Sequence, residues 1–214
     1  MSRYATGRFN PGSKRGPTAT PPQRVRIIGG VWKRTPIEVA QAPGLRPTPD
    51  RVRETLFNWL GQDLSGLDCL DLFAGTGALG FEAASRGARS VVMVELSRTP
   101  RQMIETLAAR LQARTISVIE SDARRALARF AQAGSRFDLV FLDPPFGQGW
   151  LERVMPELPV VLASGARVYL ESETAWSSGA GAFELERSGR AGQVHYHLLR
   201  YVPVALAADP DQDP

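Results

Sequence analysis

The residues of this chain best suited to chemistry fall at four points along its middle: Asp71 with the glycines after it, Glu95, Asp122, and the run Asp143-Pro144-Pro145-Phe146. The last is the most distinctive. Phe137-Asp138-Leu139-Val140-Phe141-Leu142 reads as a buried parallel strand, and it stops at an acid, two prolines and an aromatic. Pro144 and Pro145 fix their own φ, lack N–H donors and push the residue before each of them out of the α region. The expected result is a stiff turn at the carboxyl end of a strand, where open α/β sheets bind their ligands. It offers one carboxylate, fixed main-chain carbonyls and a flat ring, a set on which something planar could dock. A Pro-rich loop after a core strand is the plain alternative for these four residues taken alone.

The other three points reinforce one another. Asp71-Leu72-Phe73-Ala74-Gly75-Thr76-Gly77-Ala78-Leu79-Gly80 sets G-x-G-x-x-G between an expected strand, Leu67 to Phe73, and an expected helix, Ala78 to about Arg86. Such glycines let the main chain turn tightly and approach a nucleotide-like ligand; alone the pattern is only moderately specific. Glu95 ends the apolar run Ser90–Val94, where it can accept hydrogen bonds from ribose hydroxyls. Asp122, with Ala123, follows the run Thr115–Ile119 and could accept from an adenine amino group.

The remaining segments must position these points. Runs of four to seven apolar residues alternating with helical periodicity predict an α/β fold with a mostly parallel sheet. Trp150 to about Leu162 reads as a helix interrupted by Pro156 and Pro159. Ala166–Glu171 reads as a fifth strand, and Ala182–Ser188 and Gln193–Tyr201 as a closing antiparallel hairpin joined through Gly189-Arg190-Ala191-Gly192. His195 and His197 alternate along that hairpin with no acid or cysteine in pattern, so they read as structural. Before the sheet, Arg24–Ile28 and Val31–Val39 predict a β-hairpin with Gly29-Gly30 as its tight turn. In Arg46-Pro47-Thr48-Pro49-Asp50-Arg51-Val52-Arg53-Glu54, Thr48 can cap a helix and Pro49 suits its first position. Val52, Leu56, Trp59 and Leu60 then form one apolar face.

Composition bounds the function. The 43% hydrophobic content is ordinary for a globular protein, and no run approaches the ~18 apolar residues of a membrane helix. Arg3 and Arg8 precede no apolar stretch, so a secretory signal is not expected. Cys69 is the only cysteine, which excludes an internal disulfide and any Cys-based zinc cluster. A cytoplasmic protein needing no metal and acting as a monomer is the expectation. Residues 1–60 hold 11 Lys and Arg against 3 Asp and Glu, a net +8, and the rest hold 15 against 19, a net −4. A basic first quarter on a mildly acidic body suits a polyanionic partner. Arg26, Lys33, Arg34, Arg46, Thr48, Arg51 and Arg53 are the candidate contacts to nucleic acid, with ion pairing to Asp50 and Glu54 as the alternative for the arginines around the helix start. Residues 1–23 read as a disordered basic arm, 24–60 as an RNA-binding hairpin-and-helix extension, 61–201 as the catalytic domain, and 202–214 as a disordered tail.

Taken together, the four strand ends make the chain resemble the S-adenosylmethionine-dependent class I methyltransferases, with Asp143–Phe146 matching the D/N-P-P-F/Y signature of exocyclic amino-group methylation. Arg26-Ile27-Ile28-Gly29-Gly30, Gly44-Leu45-Arg46-Pro47-Thr48 and Asp50–Leu60 are similar to the 16S ribosomal RNA guanine-N2 methyltransferase family (RsmD type). The resemblance implies a seven-stranded Rossmann-like sheet with helices on both faces and its last hairpin antiparallel. It implies that Asp71, Phe73, Gly75, Gly77, Glu95, Asp122 and Ala123 bind S-adenosyl-L-methionine, and that Asp143, Pro144, Pro145 and Phe146 act on the amine. It also implies a guanine near position 966 of 16S ribosomal RNA as target, within a partly assembled small subunit. A DNA adenine-N6 enzyme would use the same signature, but the chain has no room for a DNA-reading domain. A nicotinamide-dependent oxidoreductase would leave Asp143–Phe146 unexplained, and a non-catalytic RNA-binding module would not need the acids and glycines.

Overall fold

Side chains alternate across a strand, so a sheet buried on both sides demands apolar residues at successive positions. The middle of the chain meets that demand four times over. The computed structural model describes residues 24–39, 48–176 and 181–203; the expected arm, Arg46 and nearly all of the expected tail lie outside them. A small antiparallel pair, β1 (Arg24–Arg26) and β2 (Pro36–Glu38), precedes α1 (Asp50–Leu60). There follow β3 (Asp68–Asp71), α2 (Ala78–Ser85), β4 (Ser90–Val94), α3 (Arg98–Arg110), β5 (Ile116–Ile119), α4 (Ala123–Gln132) and β6 (Phe137–Leu142). The chain ends through α5 (Trp150–Val154), a 3₁₀ turn (Leu158–Val161), β7 (Leu162–Ser172), β8 (Phe183–Ala191) and β9 (Val194–Tyr201).

The seven strands of the main sheet lie in the order β5-β4-β3-β6-β7-β9-β8, with β9 antiparallel to both neighbours and the other pairs parallel. The winding reverses between β3 and β6, so a crevice opens there at the strands' carboxyl ends. Asp71 ends β3 and Asp143 directly follows β6. On one face Cys69, Val91, Met93, Leu139, Phe141 and Tyr169 pack with Leu56, Phe57, Phe81 and Ile104. On the other, Leu70, Val140, Leu142, Val168 and Leu170 pack with Ala126, Leu127, Val154 and Leu158. Burial pushes the Cys69 thiol up to about 12, the behaviour of a small core residue rather than a reactive one.

The expected helix after Trp150 is interrupted around Pro156 and Pro159, leaving α5 and a 3₁₀ turn, because each proline removes a helical N–H. Other expectations change. The closing hairpin turns at Gly192 (φ 62°), Ala191 being paired with Val194. Gly29-Gly30 is not the turn of a hairpin, since residues 27–35 connect β1 to β2. The two glycines serve close docking instead. A Cβ on Gly30 would lie 1.8 Å from the Ser85 carbonyl oxygen, and one on Gly29 would lie 2.4 Å from the Arg86 guanidinium. Val31 N–H and Trp32 N–H donate to Ser85 O (2.8 Å) and Oγ (2.9 Å). Thr48 does not cap α1: Pro49 takes the N-cap position and no side chain caps the helix.

What holds the extension to the sheet is Glu82 of α2, a wholly buried carboxylate. It accepts from Ile28 N–H (2.7 Å), Gly29 N–H (2.8 Å) and Arg86 Nε (2.8 Å), with Arg53 Nη1 3.7 Å away. Arg53, expected on the surface near the helix start, is 0% exposed. Its guanidinium donates to the Arg26 carbonyl (2.8 Å), Asp50 Oδ1 (2.7 Å) and the Thr48 carbonyl (3.3 Å). Helical spacing puts it beside Val52 and Leu56 and Phe57, and its charge is tolerated there only because acids and carbonyls surround it. Removing one member of such a group leaves the others charged and unpaired. Glu82→Ala is therefore expected to lower the unfolding free energy by about 3–5 kcal/mol in urea titration. A change under about 1 kcal/mol, the value of a surface pair, would contradict the anchoring role.

Candidate active site

Asp71 ends β3 almost fully buried. Its Oδ2 accepts from Gly80 N–H (3.1 Å), while Oδ1 is enclosed without a hydrogen-bond partner. Burial first, and then the negative charge of Glu95, push its carboxyl up to about 7. A carboxylate oxygen enclosed without a partner suits a cationic ligand group. The loop beyond it turns through Gly75 (φ 53°) and Gly77 (φ 77°), and Gly77 N–H closes onto Ala74 O at 2.7 Å. Gly80 has a packing reason: a Cβ there would lie 2.4 Å from Met93 Cε, so the methionine would have to move for α2 to settle on β4.

Glu95, just past β4, grips that loop. Its Oε2 accepts from Gly75 N–H (2.9 Å) and its Oε1 from Ser97 N–H (2.6 Å). Each oxygen keeps a further lone pair free to accept. Asp122 caps α4 by accepting from Arg125 N–H (3.0 Å) and pairs with the Arg125 guanidinium (3.2 Å). Ala123 buries its methyl group in the second core cluster and opens α4, where the first N–H groups of a helix lack internal partners. Phe73 is half-buried, edge-on to Trp150 with centroids 5.5 Å apart. Leu96, 62% exposed beside Glu95, escaped the sequence reading. An isolated leucine after a strand carries no signal until the strand end is known to face a ligand.

At the end of β6, Asp143 Oδ2 accepts from the Thr48 hydroxyl at 3.0 Å. Thr48, expected among RNA contacts or as a cap, is buried and belongs to the site instead. No hydrogen bond reaches Asp143 Oδ1 among the described residues. Burial, and then the charge of Glu171 at the end of β7, raise the Asp143 carboxyl well above its ordinary range. Pro144 is buried, Pro145 is exposed, and the Phe146 ring is 41% exposed. The loop is pinned beyond the ring where Gly147 N–H donates to Glu173 (3.1 Å). Glu171 and its partner Tyr169 also went unread in the sequence, where they looked like ordinary strand residues.

The basic candidates separate. Lys33, Arg34 and Arg51 are exposed; Arg26 is exposed and pairs with Asp50 at 3.1 Å; Arg53 is buried. Half-buried Trp32 packs against the first core cluster rather than standing free.

The sheet order and the acids at its crevice define the class I, S-adenosylmethionine-dependent methyltransferase fold. The chain shares it with an RNA methyltransferase from Salinibacter ruber solved with S-adenosyl-L-homocysteine (17% identity, TM-score 0.59, covering 79% of this chain and all of that one). Residues 25–200 match the profile of the family described as conserved hypothetical protein 95, and the chain belongs to that family. It is 42% identical over 181 residues to ribosomal RNA small subunit methyltransferase D of Escherichia coli K12, covering 83% of this chain and 90% of that one. The protein of the same name from Haemophilus influenzae is 41% identical, over 70% of this chain and 79% of its own. The solved Escherichia coli structure named for yhhF superposes with a TM-score of 0.73 at 42% identity, over 84% and 99% of the two chains.

The buried Asp71 makes stability depend on pH. A carboxyl whose pKa is higher folded than unfolded binds its proton more tightly in the native state. Its contribution is complete at low pH and is lost as pH rises from 3.8 to about 7. Asp71→Asn should therefore flatten the decline in melting temperature across that window, by an amount corresponding to a few kcal/mol at its upper end. Melting curves of the two proteins that stay parallel would remove the buried-acid assignment.

Proposed function

We propose that this protein transfers a methyl group from S-adenosyl-L-methionine to the exocyclic N2 amine of a guanine in 16S ribosomal RNA. The observation that carries the reading is the meeting of Asp143-Pro144-Pro145-Phe146 with the Asp71–Gly77 loop and Glu95 across one crevice. Asp71 would hold the cationic methionine end, the Gly75–Gly77 turn and Glu95 the ribose, and Asp122, Ala123 and the exposed Leu96 the adenine. The buried, partnerless Asp71 Oδ1 and the two left-handed glycines fit such a ligand. When bound, the cofactor supplies a methyl group made electrophilic by its sulfonium.

The residues of the chain do the rest. A guanine amine is a poor nucleophile because its lone pair is delocalised into the ring. Asp143 Oδ1 and the Pro144 carbonyl, stiffened by two consecutive prolines, can accept its two N–H bonds. That draws the nitrogen toward tetrahedral geometry and stabilises its developing positive charge. Phe146, exposed at the crevice mouth, can stack on the extruded base. The nitrogen must shed a proton once methylated, and the Asp143 carboxylate is the base in contact with it. Placement supplies most of the rate.

The RNA partner is supported by the family and by the basic first quarter. Lys33, Arg34 and Arg51 are the exposed candidates for phosphate binding, and a partly assembled small subunit is the proposed setting. Asp143→Ala should reduce methyl transfer to small-subunit RNA by at least about a hundredfold while cofactor affinity by calorimetry changes little. Glu95→Ala should weaken cofactor binding by about tenfold or more, roughly 1.4 kcal/mol. Near-normal turnover in the first variant would refute the amine clamp, and unchanged affinity in the second would refute the ribose role. Charge reversal at Lys33, Arg34 or Arg51 should flatten the salt dependence of RNA binding, by about 0.7–0.9 in slope for each phosphate no longer neutralised. Unaltered slopes would assign the RNA grip to other residues.

A further inference from the structure

Glu171 has no part in the clamp just described, yet it is only 5% exposed and lies next to it. Strands β6 and β7 run parallel with Leu142 opposite Leu170, so the next residues, Asp143 and Glu171, stand side by side on strands about 4.8 Å apart. Two positions before them, Phe141 and Tyr169 meet edge to face with ring centroids 6.4 Å apart. Side chains two positions apart share a face of the sheet, so both carboxyls project to the side where α1 packs. After burial itself, the charge of Glu171 does most to raise the Asp143 carboxyl.

Each carboxyl is held by one hydroxyl. Thr48 donates to Asp143 Oδ2 at 3.0 Å, and Tyr169 donates to Glu171 Oε1 at 2.7 Å. Among the described residues no hydrogen bond reaches Asp143 Oδ1 or Glu171 Oε2. Neither is sealed in as the partnerless Asp71 Oδ1 is, so both remain accessible. No lysine or arginine among the described residues pairs with either acid. The result is two neighbouring acceptor oxygens, each fixed through its twin and neither matched by a donor or a cation.

A base taken out of its stack is read by the pattern along its Watson–Crick edge. Guanine sets two donors next to each other there, the N1–H and the N2 amine, pointing the same way. Adenine and cytosine set an accepting nitrogen beside their amine, and its lone pair would face a carboxylate. Uracil has no amine. Two adjacent acceptors therefore match guanine alone of the four. We propose that Glu171 is a specificity-determining residue of this site: its free Oε2 accepts the N1–H of the guanine whose N2 amine is held by Asp143 and the Pro144 carbonyl. The inference rests on the methyl-transfer reading above, in which the clamp alone would accept the amine of any base. Tyr169 is a positioning residue that acts through Oε1.

A substrate analogue tests this on the intact protein. 2-Aminopurine keeps the N2 amine but has a bare, accepting N1. Small-subunit particles are reconstituted from RNA carrying guanine or 2-aminopurine at the methylated position, and kcat/KM is measured for each with saturating labelled S-adenosyl-L-methionine. Glu171→Gln keeps an oxygen for the Tyr169 hydroxyl and turns an N–H donor toward N1. Its guanine-to-2-aminopurine ratio should fall below that of the wild type by roughly ten- to a hundredfold, the worth of a hydrogen bond to a charged group. Comparing ratios cancels the different reactivity of the two amines. Tyr169→Phe keeps its ring beside Phe141 and should lower the ratio by a smaller factor, which a purely structural role would not do; its ratio decides the matter if Glu171→Gln does not fold. A ratio unaltered or raised, with the methyl group still found on N2, would overturn this inference alone. A methyl group found elsewhere would overturn the methyl-transfer reading together with it.

Discussion

The structure depends on one buried charge. Glu82 sits inside α2 with two arginines and two main-chain N–H groups converging on it, and those partners come from three separate parts of the chain. An acid so placed is costly unless every oxygen is satisfied, and it is satisfied only when β1, α1 and α2 are in register together. The requirement holds the extension against the sheet, with Gly29 and Gly30 allowing an approach too close for any side chain. Arg53, held by the same cluster, delivers Thr48 to Asp143. A structural ion cluster and the candidate active site are therefore two ends of one network.

The acids at the crevice live in the opposite environment. Glu82 is surrounded by positive charge, whereas buried Asp71 and Glu171 and half-buried Asp143 have no paired cation among the described residues. Burial alone raises the proton affinity of such groups, and clustered raised acids at a sheet's switch point mark a place where ligand charge or reaction chemistry must complete the electrostatics. Asp71 keeps one buried oxygen without a hydrogen-bond partner. On the methyl-transfer proposal, Asp143 faces a neutral amine that becomes positive as it reacts. On that proposal the same physics serves a binding contact on one strand and a reactive contact on the next.

Much of this was legible in the residues. Asp143-Pro144-Pro145-Phe146 stands out because two prolines after an apolar run permit few conformations. The positions of Asp71, Glu95 and Asp122 follow from counting strands, since an acid just past an apolar run lands at the ligand-binding edge of an open sheet. The sites that escaped are those set by long-range packing. Thr48 and Pro49 match a helix-start pattern, and only the fold shows that the hydroxyl turns to a residue 95 positions away. Arg53 occupies an apolar helical face that charge alone argues against. Gly29-Gly30 carries the same local signal whether it makes a hairpin turn or clears space for α2. Glu171 and Tyr169 look like ordinary strand residues, and their place beside Asp143 arises only from β6 lying alongside.

The chemistry of the crevice turns on the group that Asp143 faces. The direct measurement is mass-spectrometric mapping of the methyl group after incubating the purified protein with isotopically labelled S-adenosyl-L-methionine and unmodified small-subunit particles. One labelled N2-methylguanine in the small-subunit RNA is predicted. Label on an adenine N6, on a ring carbon or ribose, or no incorporation at all, would contradict it.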